Sequence, residues 1–217
     1  MSVASPAGRV RVGVLVSGSG SNLQALLDAA ADPAYPAEIT RVIANVPGVY
    51  ALERAAAAGV PTAVIPHQGR TRASFEAELL ASLADVEWVC LAGFMRVLTP
   101  SFLDAFPSRV LNVHPALLPA FPGTHGPRQA LEYGAVQAGA TVHLVDAGVD
   151  TGPIVAQGSV AVREDDTEAT LAARILGLEH RLYPMALRWA AEGRITIEGR
   201  RARIALGSGE RRWLVES

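Results

Sequence analysis

Residues 10–22 read VRVGVLVSGSGSN, and this stretch decides the fold class. Val10–Val16 is a run of β-branched and aliphatic residues, which predicts a buried strand. Ser17–Gly20 predicts a tight turn, because glycine adopts backbone angles that other residues avoid. Helical character begins at Asn22 and continues to Ala31. A strand, a glycine turn and a helix in this order indicate an α/β fold.

The alternation of strands and helices continues along the chain. Predicted strands cover residues 39–45, 62–65, 86–92 and 109–113, and predicted helices cover 50–58, 72–83 and 101–106. After a proline-rich loop come a helix near 129–133, strands at 141–145 and 154–160, and a long helix over 167–191. Strands that are apolar throughout indicate burial on both faces. We predict a single α/β domain with a mostly parallel twisted sheet, helices on both faces, a long C-terminal helix and a small hairpin.

The predicted boundaries follow from this order of elements. Residues 1–9 form a loose lead-in, and residues 10–194 form the domain, with a phosphate-binding half at about 10–100 and a catalytic half at about 101–194. Residues 195–217 form a hairpin extension that we expect to turn at Gly207–Gly209. This extension is rich in arginine, which favours a solvated hairpin over a partner site.

The composition excludes several classes of function. The chain has 217 residues, half of them apolar, and its net charge of −2 gives no general attraction to nucleic acid or to a membrane. It contains no lysine, so a Schiff base, lysine-bound pyridoxal phosphate and the lysine-bearing phosphate loop of NTPases are excluded. No apolar run reaches the roughly 18 residues that a membrane helix needs. We expect a cytoplasmic protein whose single cysteine, Cys90, packs in the core.

The glycine turn at residues 17–22 predicts a phosphate site. Its glycines let backbone N–H groups point at an anion, and the following helix adds partial positive charge. A tight turn with capping serines is the structural alternative. A dinucleotide fits poorly, because Leu23 stands where its fingerprint needs a third glycine and Asn45 stands where it needs an acidic residue. A monophosphate group is the better match.

Asn112, His114 and Asp150 predict a site for acyl transfer to an amine. Asn112 and His114 are two residues apart at a strand end, so both side chains face the same way. The carboxyl ends of parallel strands are where such folds hold ligands. An asparagine amide and a protonated imidazole can stabilise an oxyanion, while a carboxylate supports the charged imidazole and accepts the amine proton. A lone histidine at a strand end is also commonly a structural hydrogen-bonding residue.

Other polar residues leave alternatives open. His143 lies two residues after Thr141 in a predicted strand. These two residues either contact and orient the catalytic residues or pack in the core. The five histidines show no metal-ligand spacing, so we predict no metal site.

Five stretches of the chain resemble a known family. They are VLVSGSGSNLQAL at Val14–Leu26, LAGFMRVLT at Leu91–Thr99, LNVHPALLPAFPG at Leu111–Gly123, TVHLVDAGVDTGPIVAQ at Thr141–Gln157 and LEHRLYP at Leu178–Pro184. In order and spacing they resemble the folate-dependent phosphoribosylglycinamide (glycinamide ribonucleotide) formyltransferases, over about residues 10 to 195. The resemblance implies a Rossmann-like formyltransferase fold whose second half, about 101–194, also holds the folate.

The resemblance implies roles for individual positions. Asn112, His114 and Asp150 would be catalytic. The substrate's phosphate and ribose would be bound by Gly20, Ser21, Asn22 and Glu179. The folate pocket would be lined by Arg72, Met95, Arg96, Val97, Leu98, Asp146, Ala147, Gly148 and Val149. Some relatives carry a polar or basic residue three positions before the glutamate, where this chain has Leu176, which puts one nucleotide contact in doubt.

The implied reaction transfers a formyl group from 10-formyltetrahydrofolate, as co-substrate, to the amine of glycinamide ribonucleotide in purine biosynthesis. Two alternatives lie in the same superfamily: a 10-formyltetrahydrofolate hydrolase and an amino-sugar formyltransferase. A non-catalytic nucleotide-binding module would reuse the fold without turnover. The expected partners are these small molecules, with no nucleic acid and no membrane, and a homodimer stays open.

Overall fold

The computed structural model describes residues 8–216. Its strands are β1 (Val10–Val16), β2 (Ala37–Ala44), β3 (Thr62–Val64), β4 (Trp88–Ala92), β5 (Val110–His114), β6 (Gln137–Leu144), β7 (Ile154–Ala161), β8 (Ile195–Glu198), β9 (Arg201–Ile204) and β10 (Trp213–Glu216). Its helices are α1 (Ser21–Ala30), α2 (Tyr50–Ala57), α3 (Arg72–Ser82), α4 (Pro100–Ala105), α5 (Gly126–Tyr133) and α6 (Glu168–Ala191).

Eight of these strands form one sheet, in the order β10-β7-β6-β5-β4-β1-β2-β3. Five of the seven neighbouring pairs are parallel, and β6 is antiparallel to both of its neighbours. The mostly parallel sheet that the sequence predicts is therefore confirmed. The remaining strands, β8 and β9, form a separate antiparallel hairpin.

The two faces of the sheet carry separate apolar clusters. Val12, Val14 and Val16 of β1 belong to a cluster that includes α1 and α6. Leu15, which points to the opposite face of the same strand, belongs to a second cluster with Phe75 of α3. Helices therefore cover both faces, which is why β4 and residues 12–16 of β1 are apolar.

The long helix α6 is fixed against the middle of the sheet. Thr167 caps its N-terminus, where its side chain accepts from the Thr170 amide. The buried Tyr183 hydroxyl donates to the carbonyl oxygens of Leu91 in β4 and Leu111 in β5, both at 3.0 Å. This contact sets the position of α6 relative to the ends of those strands. No helix within residues 8–216 is long and apolar enough to cross a bilayer.

Helix α5 and strand β6 begin well before the positions that the sequence predicts. Helix α5 starts at Gly126, with a proline in its first turn, where a missing N–H costs nothing. Strand β6 starts at Gln137 because Gly139 pairs with β7, although glycine has a low strand propensity. A Cβ atom at Gly139 would lie 1.9 Å from the carbonyl oxygen of Gly158, so the two strands approach closely only with glycine there.

The C-terminal hairpin turns at a different place from the expected one. Glu198 pairs with Arg201, so the turn is Gly199-Arg200, and Gly199 has the positive φ (60°) that tight hairpin turns need. The expected turn at Gly207–Gly209 is wrong. That segment instead leads to β10, which adds in parallel to β7 at the edge of the main sheet. The predicted lead-in at residues 1–9 lies largely outside the described residues.

Candidate active site

Three neighbouring parallel strands end at one edge of the sheet. β1, β4 and β5 lie side by side, and Leu91 of β4 is in register with Asn112 of β5 and Leu15 of β1. The segments that leave these strands are the glycine turn after β1, residues 93–98 after β4, and the proline loop after His114. The structure thus brings together the phosphate-site, folate-site and catalytic candidates of the sequence.

The register between β5 and β6 assembles four polar side chains. Asn112 is opposite His143, and His114 is opposite Thr141. Paired residues of an antiparallel ladder share a face of the sheet, as do residues two apart in one strand. Asn112 Nδ2 lies 3.1 Å from His143 Nε2, so the cross-strand pair is in direct contact.

His114 is held by acceptors at both ring nitrogens. Nε2 donates to the carbonyl oxygen of Phe121 (2.9 Å), and Nδ1 lies 3.3 Å from Asp150 Oδ2. Its side chain is only 4% exposed, so these partners replace water. Two acceptors fit an imidazole that carries protons on both nitrogens. The carbonyl fixes the ring, and the longer contact leaves the Nδ1 proton free to be shared with a ligand.

Asp150 reaches His114 from the loop between β6 and β7. Its carboxylate also accepts a hydrogen bond from the Gly123 amide (2.8 Å), and its φ of 54° is a left-handed conformation that aspartate tolerates. Burial raises the pKa of Asp150, but His143, the Gly123 amide and the charge of His114 outweigh it and hold the pKa below its ordinary value. Asp150 is therefore a stable carboxylate beside the imidazole.

His143 and Thr141 support this set in different ways. His143 Nδ1 donates to the carbonyl oxygen of its neighbour Leu144 (2.9 Å), and its Nε2 lies 3.6 Å from Asp150 Oδ1 as well as next to Asn112. The Thr141 side chain makes no hydrogen bond with Asn112, His114 or Asp150. Its hydroxyl donates to Ala116 O (2.7 Å) and so holds the loop that follows His114.

The glycine turn leaves the start of α1 open to an anion. Gly20 is the N-cap residue with a φ of 73°, no side chain caps the helix, and its first turn contains no acidic residue. A Cβ atom at Gly20 would lie 2.8 Å from the backbone of Ala51, so glycine lets the turn pack against α2. The first amide groups of α1, at Ser21 and Asn22, are oriented for an anion.

Glu179 is a buried carboxyl group beside this turn. It is 5% exposed, and Asn22 Nδ2 donates to its Oε2 at 2.6 Å. Burial raises the pKa of Glu179 to about 7, although the bond from Asn22 opposes that rise. Asn22 Oδ1 is also buried and has no partner among the described residues. Both side chains therefore have hydrogen-bonding capacity left for a ligand.

Replacing Glu179 with glutamine is expected to stabilise the unliganded protein above pH 7. Raising the pKa from 4.5 to about 7 costs the ionised side chain about 3 kcal/mol on folding. The native state binds the extra proton between these values, so the stability of the wild type falls as the pH rises from 4.5 to 7. Urea unfolding at pH 8 and pH 5 should show a large difference between the proteins at pH 8 and a small one at pH 5. Glu132→Gln, at an exposed site, is the control, and equal stabilities at pH 8 would contradict the expectation.

The folate candidates form two groups around the catalytic set. Met95 and Val97, after β4, are 70% and 46% exposed, whereas Leu98 is buried in the core. Arg96 is half-buried beside them, and Arg72 is exposed at the start of α3. The second group is the 146–149 loop, in which Asp146 accepts from Gly148 N and Thr151 Oγ1 and Val149 is 51% exposed.

A hydrogen-bond network that sequence reasoning missed connects the glycine turn after β1 with the segment after β4. Ser17 Oγ accepts from the Met95 amide (2.9 Å) and donates to Asn45 Oδ1 (2.7 Å). Asn45 is 2% exposed, and its Nδ2 lies 3.2 Å from His67 Nδ1. His67 therefore belongs to this hydrogen-bond network. The sequence feature that could have indicated this network is Asn45, a polar residue at the end of a buried strand.

Potential metal ligands are not clustered in the described part of the chain. Within residues 8–216, no group of three or more His, Cys, Asp or Glu side chains is placed to hold a metal ion. The histidines of the site are instead satisfied by carbonyl, amide and carboxylate groups.

Known proteins share both the sequence and the fold. The model of the family described as Formyl transferase matches residues 10–187. A phosphoribosylglycinamide formyltransferase from Mycobacterium tuberculosis is 47% identical over 204 residues, which cover 91% of this chain and 92% of the relative. The crystal structure of glycinamide ribonucleotide transformylase 1 from Symbiobacterium toebii has a TM-score of 0.89 and 49% identity, covering 94% of this chain and 98% of that one.

A longer relative contains a similar sequence within a larger protein. Trifunctional purine biosynthetic protein adenosine-3 from Drosophila pseudoobscura pseudoobscura is 50% identical over 190 residues, which are 85% of this chain but 14% of that protein. The chain thus spans about one seventh of the length of this relative. From the match over residues 10–187 and the similarity to full-length relatives, the chain belongs to the formyl transferase family and, within it, groups with the phosphoribosylglycinamide formyltransferases.

Proposed function

We propose that this protein transfers the formyl group of 10-formyltetrahydrofolate to the amine of glycinamide ribonucleotide. The products are formylglycinamide ribonucleotide and tetrahydrofolate. The observation that carries the proposal is the pairing of His114 with Asp150 next to Asn112, with only β4 between β5 and the strand that leads to the open glycine turn. The names of the similar proteins point to the same substrate.

The glycine turn and Glu179 would bind the ribonucleotide. The amides of Gly20, Ser21 and Asn22 would take the phosphate, because the helix end gives them partial positive charge. Glu179 and the free Asn22 Oδ1 would accept hydrogen bonds from ribose hydroxyls. Leu176 lies one turn before Glu179 in α6 and has no polar atom, so it adds no hydrogen bond to the ribonucleotide.

Residues 93–98 and 146–150 would bind the folate. Exposed apolar side chains at Met95, Val97 and Val149 flank the catalytic set, and they offer a surface for a flat aromatic ring system. Arg72 and Arg96 would pair with the carboxylates of the co-substrate. In this assignment residues 10–100 form the phosphate-binding half, residues 101–194 form the catalytic and folate half, and residues 195–217 are an extension.

The catalytic residues would stabilise charge and move one proton. When the amine attacks the formyl carbon, a C–N bond forms and the carbonyl oxygen becomes an oxyanion. Asn112 Nδ2 and His114 Nδ1 would donate to that oxygen. Asp150 keeps the imidazole charged and, directly or through water, takes the proton that the amine loses. Collapse of the intermediate breaks the bond to the folate nitrogen, which gains a proton.

The test is folate release, followed by absorbance, with purified protein and a 10-formyl folate. It is run with glycinamide ribonucleotide, without an acceptor, and with an amino sugar in its place. We expect turnover that requires the ribonucleotide. Turnover without an acceptor would instead identify a hydrolase, and turnover with only the amino sugar would identify a sugar formyltransferase.

A further inference from the structure

Two arginines of the C-terminal extension contact the chain directly after Asp150. Arg200, in the turn of the β8–β9 hairpin, donates from Nη2 to the carbonyl oxygen of Thr151 at 3.0 Å. Arg212, just before β10, donates from one Nη to the carbonyl oxygen of Ile154. Its other Nη donates to Ala202 O of the hairpin at 2.9 Å. The extension therefore contacts Thr151 and Ile154, which follow Asp150 by one and four positions.

The other side of this segment is fixed to the main sheet. The Leu144 amide donates to the carbonyl oxygen of Pro153 at 2.9 Å. A Cβ atom at Gly152 would lie 1.7 Å from Leu144 O, so the backbone is pressed against β6. Residues 151–154 thus lie between β6 on one side and the two arginines on the other. A cavity of about 270 Å³ lies next to the hairpin turn and is lined in part by residues 144–146, and the hydrogen bond from Thr151 Oγ1 to Asp146 also holds the segment there.

The position of Asp150 depends on how well this segment is held. Its carboxylate meets His114 at 3.3 Å and His143 at 3.6 Å, and both distances are longer than the roughly 2.7–2.9 Å of a charge-assisted hydrogen bond. Its backbone has a left-handed φ of 54°. Residues 147–149, just before it, are exposed. The anchors on its C-terminal side therefore act together with the Gly123 amide to fix where the carboxylate points.

We propose that Arg200 and Arg212 are positioning residues that hold the Asp150 loop in its catalytic geometry. The proposal rests on the proposed function, because it assigns the extension a part in the same reaction. Charge-assisted hydrogen bonds to backbone carbonyls are stronger than neutral ones, and they restrain the backbone itself. In this proposal the arginine-rich extension is more than a solvated hairpin. We call the restraint that Arg200 and Arg212 place on residues 151–154 the brace.

The first experiment compares Arg200→Ala with Arg203→Ala. Arg203 is in the same hairpin and pairs only with Glu198 among the described residues, so it is a matched control. Because small displacements of catalytic groups cost up to about 10²-fold in rate, we expect Arg200→Ala to lower kcat by roughly 3- to 10-fold. The KM for the ribonucleotide should stay near the wild-type value. Arg203→Ala should keep both values.

A pH profile separates positioning from simple loss of stability. If the loop moves, Asp150 loses part of its contacts with His143, His114 and the Gly123 amide, which keep its pKa low. The acid limb of kcat should then move to higher pH in Arg200→Ala and in Arg212→Met. Arg212→Lys, which retains a donor, should restore part of the rate. An unchanged kcat and an unchanged acid limb in folded Arg200→Ala and Arg212→Met would overturn the proposal.

Hydrogen–deuterium exchange tests the brace without using activity. Amide exchange in residues 146–152 should be faster in Arg200→Ala than in Arg203→Ala or the wild type. If the wild type showed no formyl transfer, the proposed function would fail, and faster exchange would still support the brace. If Arg212→Met did not fold, Arg200→Ala alone would decide. Equal exchange in all folded variants would overturn the proposed brace.

Discussion

Replacing His114 with alanine is expected to lower kcat by about 10³-fold, because one residue supplies both the charge and the donor for the oxyanion. The Phe121 carbonyl fixes Nε2, which leaves Nδ1 as the nitrogen that faces Asp150 and the reacting atoms. Neither Asn112 nor Asp150 carries a positive charge to replace it. Steady-state kinetics with glycinamide ribonucleotide and 10-formyltetrahydrofolate measure the loss, and the KM of the ribonucleotide should change little.

The matched control for this variant is His125→Asn. His125 follows in the same half of the chain, its side chain is 58% exposed, and its φ of 62° is one that asparagine accepts. It contacts Glu168 and none of the catalytic candidates. Its kcat should stay close to the wild-type value. If folded His114→Ala turned over at more than about a tenth of the wild-type rate, the oxyanion role of the imidazole would be wrong.

Much of the fold follows from local patterns in the sequence. The strand that the sequence identifies best, Val10–Val16, is buried from Val12 to Val16, and its one polar residue, Arg11, lies near its start and is exposed. The start of β6 was missed because Gly139 and its small neighbours pair for a non-local reason, the close approach of β7. The turn of the C-terminal hairpin was predicted at the wrong place because Gly199 and Gly207–Gly209 are equally good local turn signals. Only pairing with the rest of the chain distinguishes them.

The candidate site was predictable where its residues share one strand. Asn112 and His114 project together because of the two-residue strand period, which the sequence shows directly. The place of His143 depends on the register between β5 and β6, which no local pattern specifies. The network of Ser17, Asn45 and Met95 joins three separate loops, so its partners cannot be matched without the sheet order. The role of individual residues in folate and ribonucleotide binding stays a prediction.

The negative charge of Asp150 can be tested almost without changing its shape. Asp150→Asn keeps the size of the side chain, an oxygen that can accept from the Gly123 amide, and a residue that tolerates the φ of 54°. The variant removes the carboxylate that, in the proposed mechanism, holds the proton on His114 and accepts the proton of the amine.

We expect Asp150→Asn to lower kcat by about 10³-fold, by analogy with the loss when other enzymes exchange the carboxylate beside a catalytic histidine for an amide. The acid limb of the pH profile should disappear with it, because the group whose low pKa sets that limb is gone. Asp104→Asn, on the exposed side of α4, should leave both the rate and the profile unchanged. Rates within about tenfold of wild type at neutral pH would mean that the carboxylate neither keeps His114 charged nor takes the proton. In that case the proton would have to leave the amine through water alone, and His114 and Asn112 would carry the whole of the stabilisation.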